Sequence, residues 1–158
     1  MPLDLIVLVG TMTGTAQLVA QELELLYGDD DACIRVMLMD GLEAKIFSEG
    51  GLFLICTSTY GQGDVPDNAK QLFESLQSSR PALTQVEYGV IGLGDRTYAE
   101  TFCFGGKRFD QLLSELGARR IGEPMLHDAS AGTMAEEVAA EWAQEWLALC
   151  RSRSELVA

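Results

Sequence analysis

Threonines at positions 11, 13 and 15 and a glycine at 14 fall in the stretch GTMTGTAQLVA (residues 10–20), between the apolar run LDLIVLV (3–9) and a segment of helical spacing. A strand that ends in hydroxyls and glycine just before a helix brings backbone N–H groups, hydroxyl donors and the positive end of a helix dipole to one place. That combination binds anions. A triphosphate loop would carry GxxxxGK[ST] and a dinucleotide fold GxGxxG, and neither occurs here. With no Lys or Arg in residues 10–20, the anion is held by neutral dipoles, which suits a monophosphate ester. A simple helix cap has the same composition, so the turn gains weight only from what lies beside it.

Two further loops supply that weight. TSTYGQGDVPDNA (57–69) sets Tyr60 beside Gly61 and Gly63, and GLGDRTYAETFC (92–103) carries Tyr98 after another glycine turn. A flat heteroaromatic ring between two tyrosines, with its phosphate in the first loop, fits this set of side chains. Other chemistry is poorly provided for. The four cysteines (33, 56, 103 and 150) lie far apart with no CxxC pair, and there is one histidine, so neither a zinc site nor a disulfide framework is indicated.

The elements that must position these loops are legible from periodicity. LDLIVLV (3–9), CIRVMLM (33–39), GLFLICTS (51–58) and YGVIGLG (88–94) are short, nearly continuous apolar runs, the pattern of strands buried on both faces. A weaker fifth strand falls in RIGEPMLHD (120–128), where Pro124 predicts an edge position. Between the strands, Ala16, Val19, Ala20, Leu23 and Leu26, then Ala69, Leu72, Phe73 and Leu76, then Phe109, Leu112, Leu113 and Leu116 have helical spacing. A last helix spans 135–150, and Gly28 and Gly117 are expected to close two helices. Alternating strands and helices predict an α/β fold: a five-stranded, doubly wound parallel sheet with helices on both faces and its ligand site beyond the carboxyl ends of the strands.

Composition narrows the function. At 158 residues and 47% hydrophobic content the chain forms one core, read as a single domain over 1–158. No signal-peptide pattern and no apolar run of membrane-spanning length is visible, which predicts a cytoplasmic protein. Its 24 acids against 11 bases, a net charge of −13, exclude nucleic acid and anionic membrane surfaces as natural partners and favour basic ones. Asp64, Asp67, Asp95, Glu100 and Asp128 lie around the loops, opposed in this reading only by Arg96.

The three loops, in this order and spacing, resemble the flavodoxin family over nearly the whole chain. TMTGTA is similar to its FMN phosphate loop, TSTYGQGDVPDNA to its second flavin loop, and GLGDRTYAETFC with GGKRFDQLLSELGARRIG to its third loop and following helix. The wording is nearest to small MioC-type flavodoxins and to the FMN domains of diflavin reductases. The resemblance implies strand order 2-1-3-4-5 and FMN as cofactor. It assigns the phosphate to Thr11, Met12, Thr13, Gly14, Thr15 and Ala16, and the inner side of the flavin ring to Ser58, Thr59, Tyr60 and Gly61. The outer side falls to Leu93, Gly94, Asp95, Arg96, Thr97 and Tyr98, with Tyr60 and Tyr98 as the stacking pair. Cys103 falls near the flavin edge and Asp128 close to the cofactor. The function implied is a monomeric electron carrier that takes single electrons from a flavoprotein reductase and delivers them to a basic-faced acceptor enzyme. An FMN-dependent NAD(P)H quinone or nitro-group reductase is the alternative, and it lacks a second nucleotide motif and a long substrate-enclosing loop. A phospho-receiver domain is disfavoured, because Gly10-Thr11 stands where its acidic pair belongs and no lysine follows Lys107.

Overall fold

Side-chain alternation explains how the first apolar run is buried on two sides. In β1 (Leu3–Gly10), Leu5, Val7 and Val9 enter one core, while Ile6 and Leu8 enter another. The computed structural model describes residues 3–11, 14–29, 32–58, 65–94, 104–128 and 132–157. β2 (Ala32–Leu38), β3 (Gly51–Thr57) and β4 (Val86–Gly94) join β1 in one parallel sheet, in the order β2-β1-β3-β4. β3 and β4 repeat the two-sided pattern, Leu54, Cys56, Ile91 and Leu93 on one face and Phe53, Ile55, Tyr88 and Val90 on the other.

Helices cover both faces, as continuous apolar strands require. α1 (Thr15–Tyr27) and α4 (Ala135–Val157) close the first core, and α2 (Asp67–Ser79) and α3 (Phe104–Glu115) the second. A short 3₁₀ turn, Ala44–Phe47, adds Phe47 to the second core and was not visible as a periodic segment. Gly28 and Gly117 close α1 and α3 as expected, Gly117 at φ 99° and Gly28 in an extended conformation at φ −73°. Glycine is needed at position 28 for a different reason: a Cβ there would lie 2.6 Å from the Glu24 carbonyl oxygen.

The predicted fifth strand is two short ones, β5 (Arg119–Arg120) and β6 (Met125–Asp128), both parallel to β4 along the same edge. Pro124 has no N–H to pair, and Gly122 turns the chain at φ 70°. The break is held by α4. The indole N–H of Trp146 donates to the Ile121 carbonyl at 2.8 Å, and that of Trp142 to the Glu123 carbonyl at 3.2 Å. The two rings stack at 5.4 Å with 15° between planes. Trp146 lies so close to β4 that a Cβ on Gly89 would meet its ring at 2.5 Å, which accounts for a glycine inside a central strand. Behind the same edge, the buried Tyr88 hydroxyl lies 2.6 Å from Asp110 Oδ1, and Asp110 pairs with Arg120 of β5. Burial, then the neighbouring carboxylate, raises the Tyr88 phenol well above its usual range.

On β3, the fully buried Cys56 donates its S–H to the Ala16 carbonyl at 3.4 Å, and burial pushes the thiol up to about 12.

Two outcomes follow from these contacts. Gly89→Ala is expected to destabilise the fold by about 1–3 kcal/mol, measured by denaturant unfolding. The cost should shrink in a Trp146→Leu background; strictly additive losses would show that the indole contact is not the cause. Cys56 is buried and its thiol is pushed up by burial, so a disulfide reagent should modify exposed Cys33 quickly and leave Cys56 unmodified until the protein unfolds. Cys56 reacting as fast as Cys33 in the native state would contradict the burial.

Candidate flavin site at the carboxyl edge of the sheet

Because the strands are parallel, their carboxyl ends share one edge. Gly10 pairs with Thr57, Thr57 with Gly92, Gly92 with Leu126, and Gly94 with Asp128, so the loops after β1, β3, β4 and β6 leave from adjacent positions. The chain runs from β1 to β2 on one side and returns to β3 on the other. The strand order therefore reverses between β1 and β3, and the crevice at such a switch point is the place where open α/β sheets bind ligands.

The crevice floor is built from backbone. A Cβ on Gly10 would lie 2.6 Å from Thr57 Oγ1, so glycine lets the two strand ends meet. The Ser58 N–H donates to the Gly10 carbonyl at 2.9 Å, and the buried Thr57 hydroxyl to the Ser58 carbonyl at 3.1 Å. Beyond Gly10, the Thr11 N–H donates to Asn68 Oδ1 at 2.8 Å, and Thr11 Oγ1 accepts the Gly14 N–H at 2.8 Å. Gly14 takes φ 92° and starts α1, whose first helical closure is Leu18 N–H to the Gly14 carbonyl at 3.0 Å.

This geometry sorts the donors. The Thr11 and Gly14 N–H groups, expected to face an anion, are used within the loop. Among the described residues, the Thr11 hydroxyl proton, which is distinct from the lone pair that Gly14 engages, can serve an anion, and the dipole of α1 favours one at its start. The first turn of α1 contains no acidic residue to compete for that place. Gly14 has nothing within 4 Å of where a Cβ would stand, which leaves room beside the loop. These features fit a phosphate ester held by neutral groups, as FMN requires.

The other predicted residues divide by what they can offer. Ala16 and Leu93 are buried in the first core, so they can present only backbone to a ligand. Ser58 is half-buried with its N–H committed to Gly10, which leaves its side chain. Gly94 and Asp128, both half-buried, sit paired at the edge, and Thr15 is exposed on the first turn of α1. Met12, Thr13, Thr59, Tyr60, Gly61, Asp95, Arg96, Thr97, Tyr98 and Cys103 lie outside the described residues, as do Asp64 and Glu100. The charge reading needs one correction. Arg96 is not the sole base near the acids, because Lys70, one turn into α2, sits 3.0 Å from Asp67.

Asn68 was given no role in the sequence. Its Nδ2 donates to the Val9 carbonyl at 3.1 Å and to Asp40 Oδ2 at 3.2 Å, while its Oδ1 holds Thr11. An asparagine in the first turn of a helix, where its propensity is poor, was the available signal. Attention to tyrosine and glycine in the same loop hid it.

Comparison with known proteins agrees with this geometry. The Flavodoxin family profile matches residues 7–142. Flavodoxin YqcA of Escherichia coli (strain K12) is 37% identical over 150 residues, covering 89% of this chain and 93% of that protein. The sulfite reductase [NADPH] flavoprotein alpha-component of Vibrio vulnificus is 38% identical over 132 residues, 80% of this chain and 21% of that larger protein. Among solved structures, a cysteine-substituted flavodoxin from Pseudomonas aeruginosa superposes with a TM-score of 0.82 at 32% identity, covering 93% of this chain and 98% of that one. Small flavodoxins and a diflavin reductase component, the two branches nearest in wording, are both represented. Among the described residues, no helix is long and apolar enough to cross a membrane. With strand order and relatives in agreement, the chain belongs to the flavodoxin family, FMN-binding proteins that carry electrons from flavoprotein reductases to acceptors rather than catalyse a reaction of their own.

Proposed function

We propose that residues 1–158 form a single FMN domain that acts in the cytoplasm as a monomeric carrier, accepting single electrons from a flavoprotein reductase and docking on acceptor enzymes that present a basic face. The observation that supports the site assignment is the adjacency of the carboxyl ends of β1, β3 and β4 at one edge, with the acid-free start of α1 beside them.

FMN, when bound, supplies one-electron chemistry, and the chain sets where it sits and what charge surrounds it. Thr11 and the first turn of α1 hold the phosphate through dipoles, with Met12, Thr13, Gly14 and Thr15 completing the loop. Ser58 and the segment through Gly61 line the inner side of the ring, and Gly94 and the segment through Tyr98 the outer side. Tyr60 and Tyr98 would exclude water from the ring faces, and Cys103 would border its edge. Asp128, beside Gly94, places a carboxylate at the rim. Carboxylates there oppose negative charge on the reduced ring, which makes it a better donor.

The docking half of the proposal rests on charge. A protein of net charge −13 attracts a basic partner over distances that salt shortens, the Debye length falling from about 10 Å at 0.1 M to about 3 Å at 1 M. The Asp67–Lys70 pair cancels part of the local field, so neutralising Asp67 alone should matter little. Electron transfer from the reduced protein to a strongly basic acceptor, cytochrome c serving as the probe, is expected to slow by about tenfold or more across that salt range. The stopped-flow rate reads this directly. A rate that does not depend on salt would remove the acidic docking face and leave the charge a solubility feature.

A further inference from the structure

We infer that Asn68 is a positioning residue for the cofactor phosphate: its carboxamide sets Thr11 before FMN arrives and ties the phosphate loop to the helix that ends the second flavin loop. The inference rests on the FMN reading above. It concerns a side chain that holds the binding residues in place and need not touch the ligand.

Two strand ends, those of β1 and β2, meet the start of α2 at this one side chain. Oδ1 accepts the Thr11 N–H at 2.8 Å, and Nδ2 donates to the Val9 carbonyl at 3.1 Å and to Asp40 Oδ2 at 3.2 Å. Val9 and Thr11 flank the end of β1, Asp40 lies just past β2, and Asn68 stands in the first turn of α2. The orientation of the amide is fixed by its neighbours. Turned over, it would set N–H against the Thr11 N–H and a carbonyl oxygen against two oxygens.

The consequence for Thr11 is specific. Its N–H is taken by Asn68 and its Oγ1 lone pair by the Gly14 N–H, so backbone and side chain are both fixed and the hydroxyl proton is the group left for an anion. Without Asn68, the Thr11 N–H loses its acceptor and becomes a second mobile donor. The loop must then be ordered at the expense of FMN binding. The flavin ring makes no direct use of this linkage, so the effect falls on the phosphate. An aspartate could still accept from Thr11, but it has no donor for Val9 and would face the Asp40 carboxylate. The site therefore requires an amide rather than any small polar residue.

The test compares FMN with riboflavin, which lacks the phosphate, on the full-length apoprotein by flavin fluorescence quenching. Wild type should prefer FMN. Asn68→Ala is expected to weaken FMN by about ten- to a hundredfold, the scale of losing one positioned hydrogen-bond partner, while riboflavin affinity changes by less than about twofold. Asn68→Asp covers the case in which the alanine variant does not fold. It should lose part of the preference, and adding Asp40→Asn, which removes the facing carboxylate, should return it toward wild type. A general structural role would lower the apoprotein melting temperature and weaken both flavins alike. An unchanged FMN-to-riboflavin ratio in the Asn68 variants, with wild type still preferring FMN, overturns the role of Asn68 alone. A wild type with no preference for FMN overturns the phosphate-site reading beneath it.

Discussion

Everything at the site depends on one constraint, the parallel hydrogen-bonding of β1 to neighbours on both sides. Parallel strands cannot be joined by tight hairpins, so each return crosses a face as a helix or a longer connection, and all the strand ends gather at one edge. β1 is bonded to β2 and β3, which lie in opposite directions from it. The strand order reverses between β1 and β3 for that reason, so the switch point at which such sheets bind ligands is set by topology rather than by any one residue. Burial of both faces by four helices gives the sheet the rigidity to hold that edge.

The crevice is finished by polar groups that mostly satisfy one another. Ser58 bonds to Gly10, Gly14 to Thr11, and Asn68 to Thr11, Val9 and Asp40. Such internal pairing removes several donors from the ligand and fixes the direction of the few that remain. A loop without lysine can then hold a phosphate through dipoles that need no reorganisation when the ligand arrives. The far edge of the sheet shows the same logic with different groups. The break between β5 and β6 releases two carbonyls from the ladder, and the indoles of Trp146 and Trp142 take them up.

Much of this was legible in the sequence. Apolar runs of strand length and helical spacing gave the element order, because a sheet buried on both faces leaves little ambiguity in pattern. GTMTGTA between strand and helix was legible as a turn of anion-binding composition, and its reading as a phosphate loop came from the two loops beside it and the family resemblance. The split of the last strand was half visible in Pro124, but the tryptophans that stabilise the break come from a helix far along the chain, and no local pattern records that pairing. Gly28 and Gly117 were both legible as helix ends, but a glycine after a helix looks the same whether it is required by φ, as at Gly117, or by a close carbonyl, as at Gly28. Asn68 was missed for a related reason. Its partners come from β1 and the turn after β2, and contacts at such sequence separation leave no spacing signature.

The central claim is that a backbone-lined crevice at the β1/β3 switch receives the cofactor. Flavodoxin-type sheets are themselves a standing illustration of that rule. Backbone amide resonances of the apoprotein, followed as FMN is added, test it most directly. The account predicts that the largest shifts fall in residues 10–17, 58–66 and 93–103, with Thr11 and the first turn of α1 moving for FMN and for inorganic phosphate alike. Largest shifts at the opposite edge, around Leu3, Gly51 and Val86, or in the groove between α2 and α3 near Phe73 and Gln77, would contradict it.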